Sequence, residues 1–356
     1  MRKNRASRKN SSLDGLWPNM TKDLASLALS CAGSALHTLD KCTPLSRGAQ
    51  QEYQPVHKSV DPSSLARPSA QLGPLYEPRA KRPASVSVKA RNIKFGLGEK
   101  LAKYWVDDDP FLTHFMNAMS VIFPPGERMF MDSVKAVRER VKNPATRADI
   151  AGFLAQEALH SREHSALNEA LRELGYPVRK LEEGLAERLR FATKFRSKRS
   201  MLAVTVALEH MTALLGFKLL TQEHVRALMS EDVLPIWMWH AVEEMEHKAV
   251  AFDAYQEVFG DYLPRAFALI TSTIGLFGTA HAFQYVLLKR DGLAHDPKLW
   301  AKGMWRLWGP RGLLLDMLPQ WLEYFRLDFH PWQQDDSPLI ADYEEKHMPA
   351  SAVSAA

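Results

Sequence analysis

The stretch Trp237–Asp253, WMWHAVEEMEHKAVAFD, constrains the fold of this chain more than any other. Read as an α-helix, it places His240, Glu244 and His247 on one face, because about 3.6 residues make one turn. The remaining residues of the stretch are largely apolar, which predicts a buried helix. Buried carboxylates and imidazoles are costly unless they are paired or bind something. The stretch therefore predicts a helix that supplies ligands to a metal ion.

A Glu-x-x-His pair occurs twice on predicted helices, and each pair follows a helix that carries a further Glu in an apolar setting. The six residues are Glu127, Glu157, His160, Glu209, Glu244 and His247. The i, i+3 spacing lets one helix offer an oxygen and a nitrogen to the same metal. In a four-helix bundle, the repeated pattern would point four carboxylates and two imidazoles at one place. A third pair, Glu344/His347, lies in the polar tail and is set aside.

Several neighbouring residues extend this candidate centre. His240 lies one turn before Glu244 and is a seventh candidate ligand, whereas His164 lies one turn after His160 and could orient a ligand or add one. Glu163 and Glu243 are candidates for a general base or for hydrogen-bond acceptors that orient the imidazoles. Carboxylate and imidazole ligands suit two iron ions, with manganese as the second choice, while a structural zinc site would call for thiols.

The periodicity predicts an all-α, ferritin-like four-helix bundle with additional C-terminal helices, because no stretch has the two-residue alternation of strands. We expect a disordered basic leader over 1–85, a helical domain over 86–335 and a loose tail over 336–356. A short helix over Leu24–Leu36 is the only element expected in the leader. In the domain, the predicted helices are Phe111–Phe123, Glu127–Lys142, Thr146–Leu174, Glu182–Thr221 and Trp237–Asp253.

Charge and cysteine content exclude some classes of function. Residues 1–90 contain 14 Lys/Arg against 6 Asp/Glu, so these residues carry +8 and the rest of the chain −3 of the net +5. A basic pI that belongs to the leader does not predict nucleic-acid binding by the folded part. The only two cysteines, Cys31 and Cys42, lie in the leader, which is consistent with a reducing cytoplasm.

An uncharged segment over 266–288 is long enough to span a bilayer, although a buried bundle helix would have the same composition. It is followed by a predicted Trp-rich helix over 299–325, in which Trp and basic residues alternate as they do at membrane interfaces. These features suggest a hydrophobic or lipid-like small-molecule substrate, and a cytoplasmic protein that touches a membrane surface. They name neither the substrate nor an electron donor.

Four segments resemble the bacterial family of predicted metal-dependent hydrolases, over roughly residues 86–335. They are FPPGERMF at 123–130, QEALHSREHSALN at 156–168, WHAVEEMEHKAVAFDAY at 239–255 and FHPW at 329–332. The order of the seven candidate ligands is also similar, less closely, to that of the di-iron arylamine N-oxygenases, which use three histidines. That second resemblance implies that His240 is a ligand.

Three kinds of function fit this pattern. The first is a di-iron enzyme that activates O₂ to oxidise an organic substrate. The second is a metal-dependent hydrolase, in which a dinuclear metal site generates a bound hydroxide near neutral pH. The third is a metal-binding protein without catalysis. The ligand set favours the first and the family's description favours the second, while the absence of a Gly-rich nucleotide loop or a Ser or Cys nucleophile motif sets other mechanisms aside.

Overall fold

A computed structural model describes residues 80–96 and 101–347 of the chain, and these residues form helices without any β-strand. The all-α prediction is therefore confirmed. The predicted helix Leu24–Leu36 and both cysteines lie outside the described residues. The α-helices are α1 Pro110–Lys135, α2 Pro144–Glu173, α3 Val178–Phe195, α4 Lys198–Thr221, α5 Glu223–Arg226, α6 Leu234–His247, α7 Val250–Val258, α8 Tyr262–Arg290, α9 Pro297–Trp308, α10 Leu318–Glu323 and α11 Ser337–His347.

Four helices form a ring around the centre of the molecule: α1 packs on α2, α2 on α6, α6 on α4, and α4 on α1. Helix α8 covers α1 and α4 from outside, and α3 packs beside α1 and α2. An extended segment over 86–96, which we call the N-terminal strap, crosses α2 and α6. It is tied down by hydrogen bonds from the Arg91 amide to Glu243 and from the Phe95 amide to Glu163.

Helix α1 continues through Pro124 and Pro125, where the sequence predicted a break. A proline inside a helix removes a hydrogen bond and leaves the carbonyl four residues earlier without its donor. For Pro124 that carbonyl is Ser120 O, which accepts a hydrogen bond from Asn168 Nδ2 at 3.1 Å. The side chain from α2 replaces the missing backbone donor. The two predicted helices are therefore one helix, which ends at Lys135 rather than at Lys142.

Other predicted helices are divided by the structure. The predicted helix Glu182–Thr221 is two helices, α3 and α4, because Ser197 is extended and its side chain accepts from the Ser200 amide to start a new helix. The stretch Trp237–Asp253 divides after His247, where Lys248 and Ala249 separate α6 from α7. All three of its candidate ligands lie on α6.

The C-terminal part also differs from the sequence-based prediction. The Trp-rich segment is not one helix over 299–325, because α9 ends at Trp308, where the extended backbone of Gly309 and the following Pro310 stop it. The prediction of a loose tail over 336–356 is wrong for Ser337–His347, which forms α11. Ile340 and Tyr343 of α11 are buried, so these apolar side chains dock this helix on the bundle.

Within the described residues, two helices are long and apolar enough to cross a membrane by length and composition alone: Lys198–Thr221, with 78% of its apolar window buried, and Tyr262–Arg290, with 50% buried. The first is one of the four central helices. The second packs one face on α1 and α4 and leaves Ile270 and Ile274 exposed on the other. Core packing thus explains most of the apolar composition of α4 but only about half of that of α8. Contact of α8 with a membrane stays a prediction.

We expect the outer face of α8 and the nearby α10 to carry any membrane binding. Ile274 is 61% exposed and Leu322 of α10 is 53% exposed, while Trp321 of α10 donates to Thr273 of α8 and so joins the two helices. Replacing Ile274 and Leu322 with Asp should reduce co-sedimentation with anionic phospholipid vesicles several-fold, because charge at a lipid contact is costly. Replacing the exposed Glu173 with Asp serves as the control. Equal sedimentation of both variants and the parent protein would contradict the prediction.

Candidate metal centre

The seven candidate ligands from the sequence all lie in the middle of the four-helix ring. Glu127 comes from α1, Glu157 and His160 from α2, Glu209 from α4, and His240, Glu244 and His247 from α6. Each is buried, with at most 4% of its surface exposed. Three overlapping groups bring potential ligand atoms within 4.8 Å of one another: Glu127/His160/His240, Glu157/Glu209/His247, and Glu157/His160/Glu244.

Glu244 lies between two sets of imidazoles. Its Oε1 is 2.9 Å from His240 Nε2 and 3.8 Å from His160 Nδ1, whereas its Oε2 is 3.4 Å from His247 Nε2. Glu157 lies near the same point, with its Oε1 3.3 Å from His247 Nε2. The two oxygens of Glu244 therefore face different histidines, which is the arrangement that a bridging ligand needs.

Many polar atoms of this cluster are buried without a hydrogen-bond partner. They are Glu127 Oε1, both oxygens of Glu157, both oxygens of Glu209, His160 Nδ1 and His247 Nε2. Buried polar groups without partners cost free energy, and they are rare in folded proteins. Since these atoms converge from four helices and are all oxygen or nitrogen, they fit divalent cations that take carboxylate and imidazole ligands. The residues present therefore fit a metal centre.

Burial in one cluster shifts the pKa values of the four candidate ligand glutamates. Burial raises the pKa of Glu127 and of Glu157 well above the usual range of a glutamate. Burial also raises the pKa of Glu209 to about 7, although His247 opposes the shift. Burial opposes ionisation of Glu244 too, but His247 and His240 overcome it and hold the pKa of Glu244 well below its usual range. Metal binding would displace protons from the first three carboxyls, so affinity should rise with pH.

Each of the three candidate ligand histidines has one nitrogen held by a neighbour and the other directed at the centre. For His160, Nε2 lies 3.0 Å from Glu243 Oε2, so it donates to that carboxylate and leaves Nδ1 for the centre. Burial, together with the nearby His240, lowers the pKa of His160 well below that of a free histidine. A neutral imidazole with one nitrogen free is the form that binds a metal.

Glu243 is itself fixed by three donors. Its Oε1 accepts from Trp239 Nε1 at 3.0 Å and from the Arg91 amide at 2.9 Å, and the Arg91 guanidinium lies 3.4 Å away. Burial raises the pKa of Glu243 to about 7, with Arg91 opposing the shift. Glu243 thus contacts His160 and is held by Trp239 and Arg91, and its role as a general base stays a prediction.

His247 is oriented by a second chain of contacts. Its Nδ1 lies 2.9 Å from Gln156 Oε1, which can only accept, so Nδ1 donates and Nε2 faces the carboxylates. Gln156 Nε2 in turn donates to Glu246 Oε2 at 2.6 Å, and Arg91 donates to the same carboxylate. Arg91 of the strap therefore contacts Glu243, the partner of His160, and Glu246, which accepts from Gln156, the partner of His247.

His240 is held by the longest chain. Its Nδ1 lies 2.7 Å from His164 Nε2, and His164 Nδ1 lies 3.0 Å from Ser120 Oγ, which donates to Asn168 Oδ1 at 2.9 Å. Asn168 Nδ2 donates to Glu182 Oε1 at 2.8 Å. Because Ser120 donates to Asn168, His164 Nδ1 donates to Ser120, and His240 Nδ1 donates to His164 Nε2. This leaves the Nε2 of His240 available for a metal, and the hydrogen bond to His164 fixes the orientation of the His240 ring.

Glu163, a candidate general base from the sequence, is placed differently. Although it is buried, its Oε2 accepts from the Phe95 amide at 3.1 Å and its Oε1 accepts from Arg162 Nε at 2.7 Å. It belongs to none of the three ligand groups found among the described residues. Both of its oxygens are engaged away from the candidate ligands, in contacts that hold the strap, and a catalytic role for Glu163 stays a prediction.

Sequence reasoning missed the residues that hold the ligands in place. Arg91, Gln156, Ser161 and Thr212 are among them: Ser161 Oγ donates to Glu127 Oε2 at 2.7 Å, and Thr212 Oγ1 donates to Glu244 Oε2. Gln156 lies directly before Glu157, and Thr212 lies three residues after Glu209, so adjacency to a ligand was the only available signal. Arg91 had no signal, because it lies 152 residues from Glu243.

The fold and site define an all-α protein with a buried centre of glutamates and histidines that can hold metal ions. The family model described as "Predicted metal-dependent hydrolase" matches residues 89–335. The chain belongs to this family. No curated protein and no solved structure matches the chain. The ferritin-like arrangement and the resemblance to arylamine N-oxygenases therefore stay predictions.

Proposed function

We propose that the chain is a metal-dependent hydrolase with two metal ions in the buried centre. The observation that carries the proposal is the placement of Glu244, whose two oxygens face His240 and His160 on one side and His247 on the other. One ion would be held by Glu127, His160 and His240, and the other by Glu209 and His247. Glu157 and Glu244 lie between the two groups and would be shared. Manganese and iron both suit these ligands.

Metal ions in such a site lower the pKa of a bound water and polarise the bond that is cleaved. The chain's own residues fix the geometry in which this happens. Glu243, Gln156 and His164 each orient one ligand histidine, so that its free nitrogen faces the centre. Ser161 and Thr212 hold one oxygen each of Glu127 and Glu244. Such support commonly changes metal affinity or activity by about 10–100-fold when it is removed.

Metal analysis and turnover together test this proposal. Protein purified under anaerobic conditions should contain about two metal ions per chain. After reconstitution with redox-inert zinc or with manganese, it should hydrolyse members of a panel of esters, amides and phosphoesters at equal rates with and without O₂. A chain that binds no metal would contradict the centre itself. A chain that binds metal but cleaves nothing on the panel with any of these ions would contradict hydrolysis.

Oxygen activation is the second candidate, and one observation favours it. The donors are four carboxylates and three imidazoles on four packed helices, which is also the chemistry of di-iron carboxylate proteins. The family's description favours hydrolysis instead. The two reactions separate cleanly, because oxygen activation requires the ferrous form and consumes O₂, whereas the zinc form would be inactive. Rapid O₂ uptake by the ferrous protein, with no hydrolysis by the zinc protein, would favour the second candidate.

A further inference from the structure

An apolar cavity of about 120 Å³ lies beside the metal centre, bordered by α1, α4 and α6. Phe115, Met116 and Met119 of α1 form one wall, and Leu215 of α4 lies in the wall opposite. Leu228 and Leu313, from the segments that follow α5 and α9, also line the cavity. Nearly all of the cavity surface is apolar carbon and sulfur.

Two ligands of the metal centre form part of this cavity wall. His240 and Glu244 line it together with Thr212, which is hydrogen-bonded to Glu244. A molecule that fills the cavity would therefore place one end against the ligands of the centre. The cavity and the centre are parts of one site, with an apolar section and a polar end.

The charge in the wall indicates what the cavity would not recognise. Lys218 lines the cavity and is buried, but it is ion-paired with Asp316. A paired lysine offers little to an anionic group, and burying an anion in apolar surroundings without a partner is costly. The ligand segment inside the cavity is therefore expected to be uncharged.

We propose that this cavity binds an uncharged apolar segment of the substrate, a ring or a short alkyl chain attached to the group that reacts at the centre. The volume is close to that of an apolar cavity of about 150 Å³ in another protein, which stays dry and binds benzene. This inference rests on the proposed function for the reaction at the polar end. The cavity itself is tested without any reaction.

The experiment uses alkylbenzenes, which have no group to hydrolyse or to coordinate a metal. Binding of benzene, toluene, ethylbenzene and propylbenzene to the metal-loaded protein is measured by titration calorimetry. Affinity should rise by about fourfold with each added methylene until the cavity is full, which corresponds to about 0.8 kcal/mol per buried methylene. Absence of binding across the series, or an affinity that does not change with chain length, would overturn the proposal.

Two substitutions localise the binding. Leu215→Trp adds volume to the cavity and should lower alkylbenzene affinity at least tenfold. Leu208→Trp is the matched control, because Leu208 lies two turns earlier on α4 and lines a separate apolar cavity with Met129 and Leu276. Met116→Trp fills the same cavity from α1 and provides a second variant if Leu215→Trp does not fold. Equal loss in the Leu208 control and in the filling variants would overturn the assignment.

The outcome for the cavity is distinguishable from the outcome for hydrolysis. If the alkylbenzenes bind as expected and no ester, amide or phosphoester is cleaved, the cavity assignment holds and the proposed reaction fails. If hydrolysis occurs but Leu215→Trp leaves both alkylbenzene affinity and the KM of an apolar ester unchanged, the reaction holds and the cavity assignment fails.

Discussion

Glu244→Ala is expected to remove most of the bound metal from the protein. Glu244 lies between His240 and His247, so its loss takes an oxygen from both proposed metal positions. We expect a loss of affinity larger than the roughly 10–100-fold effect of changing residues that only support a ligand. The fold should persist, because the four central helices also pack through apolar side chains, among them Phe111, Phe153 and Trp239. Plasma emission spectrometry and circular dichroism measure the two effects.

Glu163→Ala is the matched control for this prediction. Glu163 is a buried glutamate like Glu244, and it lies on α2 one turn after His160. Its oxygens hold the Phe95 amide and Arg162, not a ligand of the centre. We expect full metal content in this variant, with a lower thermal stability because the strap loses an anchor. Full metal content in Glu244→Ala would refute the assignment of Glu244 as a ligand.

The sequence predicts the site better than it predicts the helix boundaries. Ligand spacing depends on local geometry: i, i+3 and i, i+4 positions share a helix face wherever the helix happens to end. Boundaries depend on tertiary contacts, which no local pattern contains. Pro124 and Pro125 are ordinarily helix breakers, but α1 continues through both, and the amide of Asn168 from another helix replaces the backbone donor that Pro124 lacks. The tail was predicted to be loose because it is polar, yet Ser337–His347 forms a helix in which Ile340 and Tyr343 are buried.

The supporting residues of the site could not be predicted for a related reason. Spacing identifies residues on one helix, whereas Arg91 reaches Glu243 and Glu246 from an extended segment more than 150 residues away. Glu163 and Glu243 had the same sequence signal, since each lies within a turn of a candidate ligand. The structure separates them through their partners: Glu243 contacts His160, and Glu163 contacts the strap. Their different roles depend on packing, not on residue type.

Arg91→Ala is expected to lower the free energy of unfolding by about 3–5 kcal/mol, the range typical of removing one partner of a buried ion pair. The Arg91 side chain is 10% exposed, and it pairs with Glu243 and Glu246, which are 0% and 1% exposed. Removing the guanidinium leaves two buried carboxyls without their cation. Because these two groups also hold His160 and, through Gln156, His247, metal affinity should fall as well.

The pH dependence of this loss provides a sharper test. Burial raises the pKa of both Glu243 and Glu246 to about 7 even with Arg91 present, and loss of Arg91 should raise both further. Between the unfolded pKa of a glutamate, near 4.3, and a raised folded pKa, the folded state keeps a proton that the unfolded state has released. The free energy of unfolding therefore falls as pH rises through this window, and it stops falling above the folded pKa. In the parent protein the free energy of unfolding stops falling near pH 7, whereas in Arg91→Ala it continues to fall above pH 7. The difference in unfolding free energy between the two should therefore be larger at pH 8 than at pH 6, measured by urea denaturation.

Two further variants control for the position and the charge of Arg91. Glu344, a third partner of Arg91, is 48% exposed, so Glu344→Ala should change stability by at most about 1 kcal/mol. Arg91→Lys keeps the cation but cannot contact two carboxylates with a planar fork, so it should recover only part of the loss. If Arg91→Ala costs no more than Glu344→Ala, or costs the same at pH 6 and pH 8, the buried pairing does not stabilise the strap. The strap would then be held mainly by its backbone contacts with Glu243 and Glu163 and by Arg162, which donates to Ile93 O.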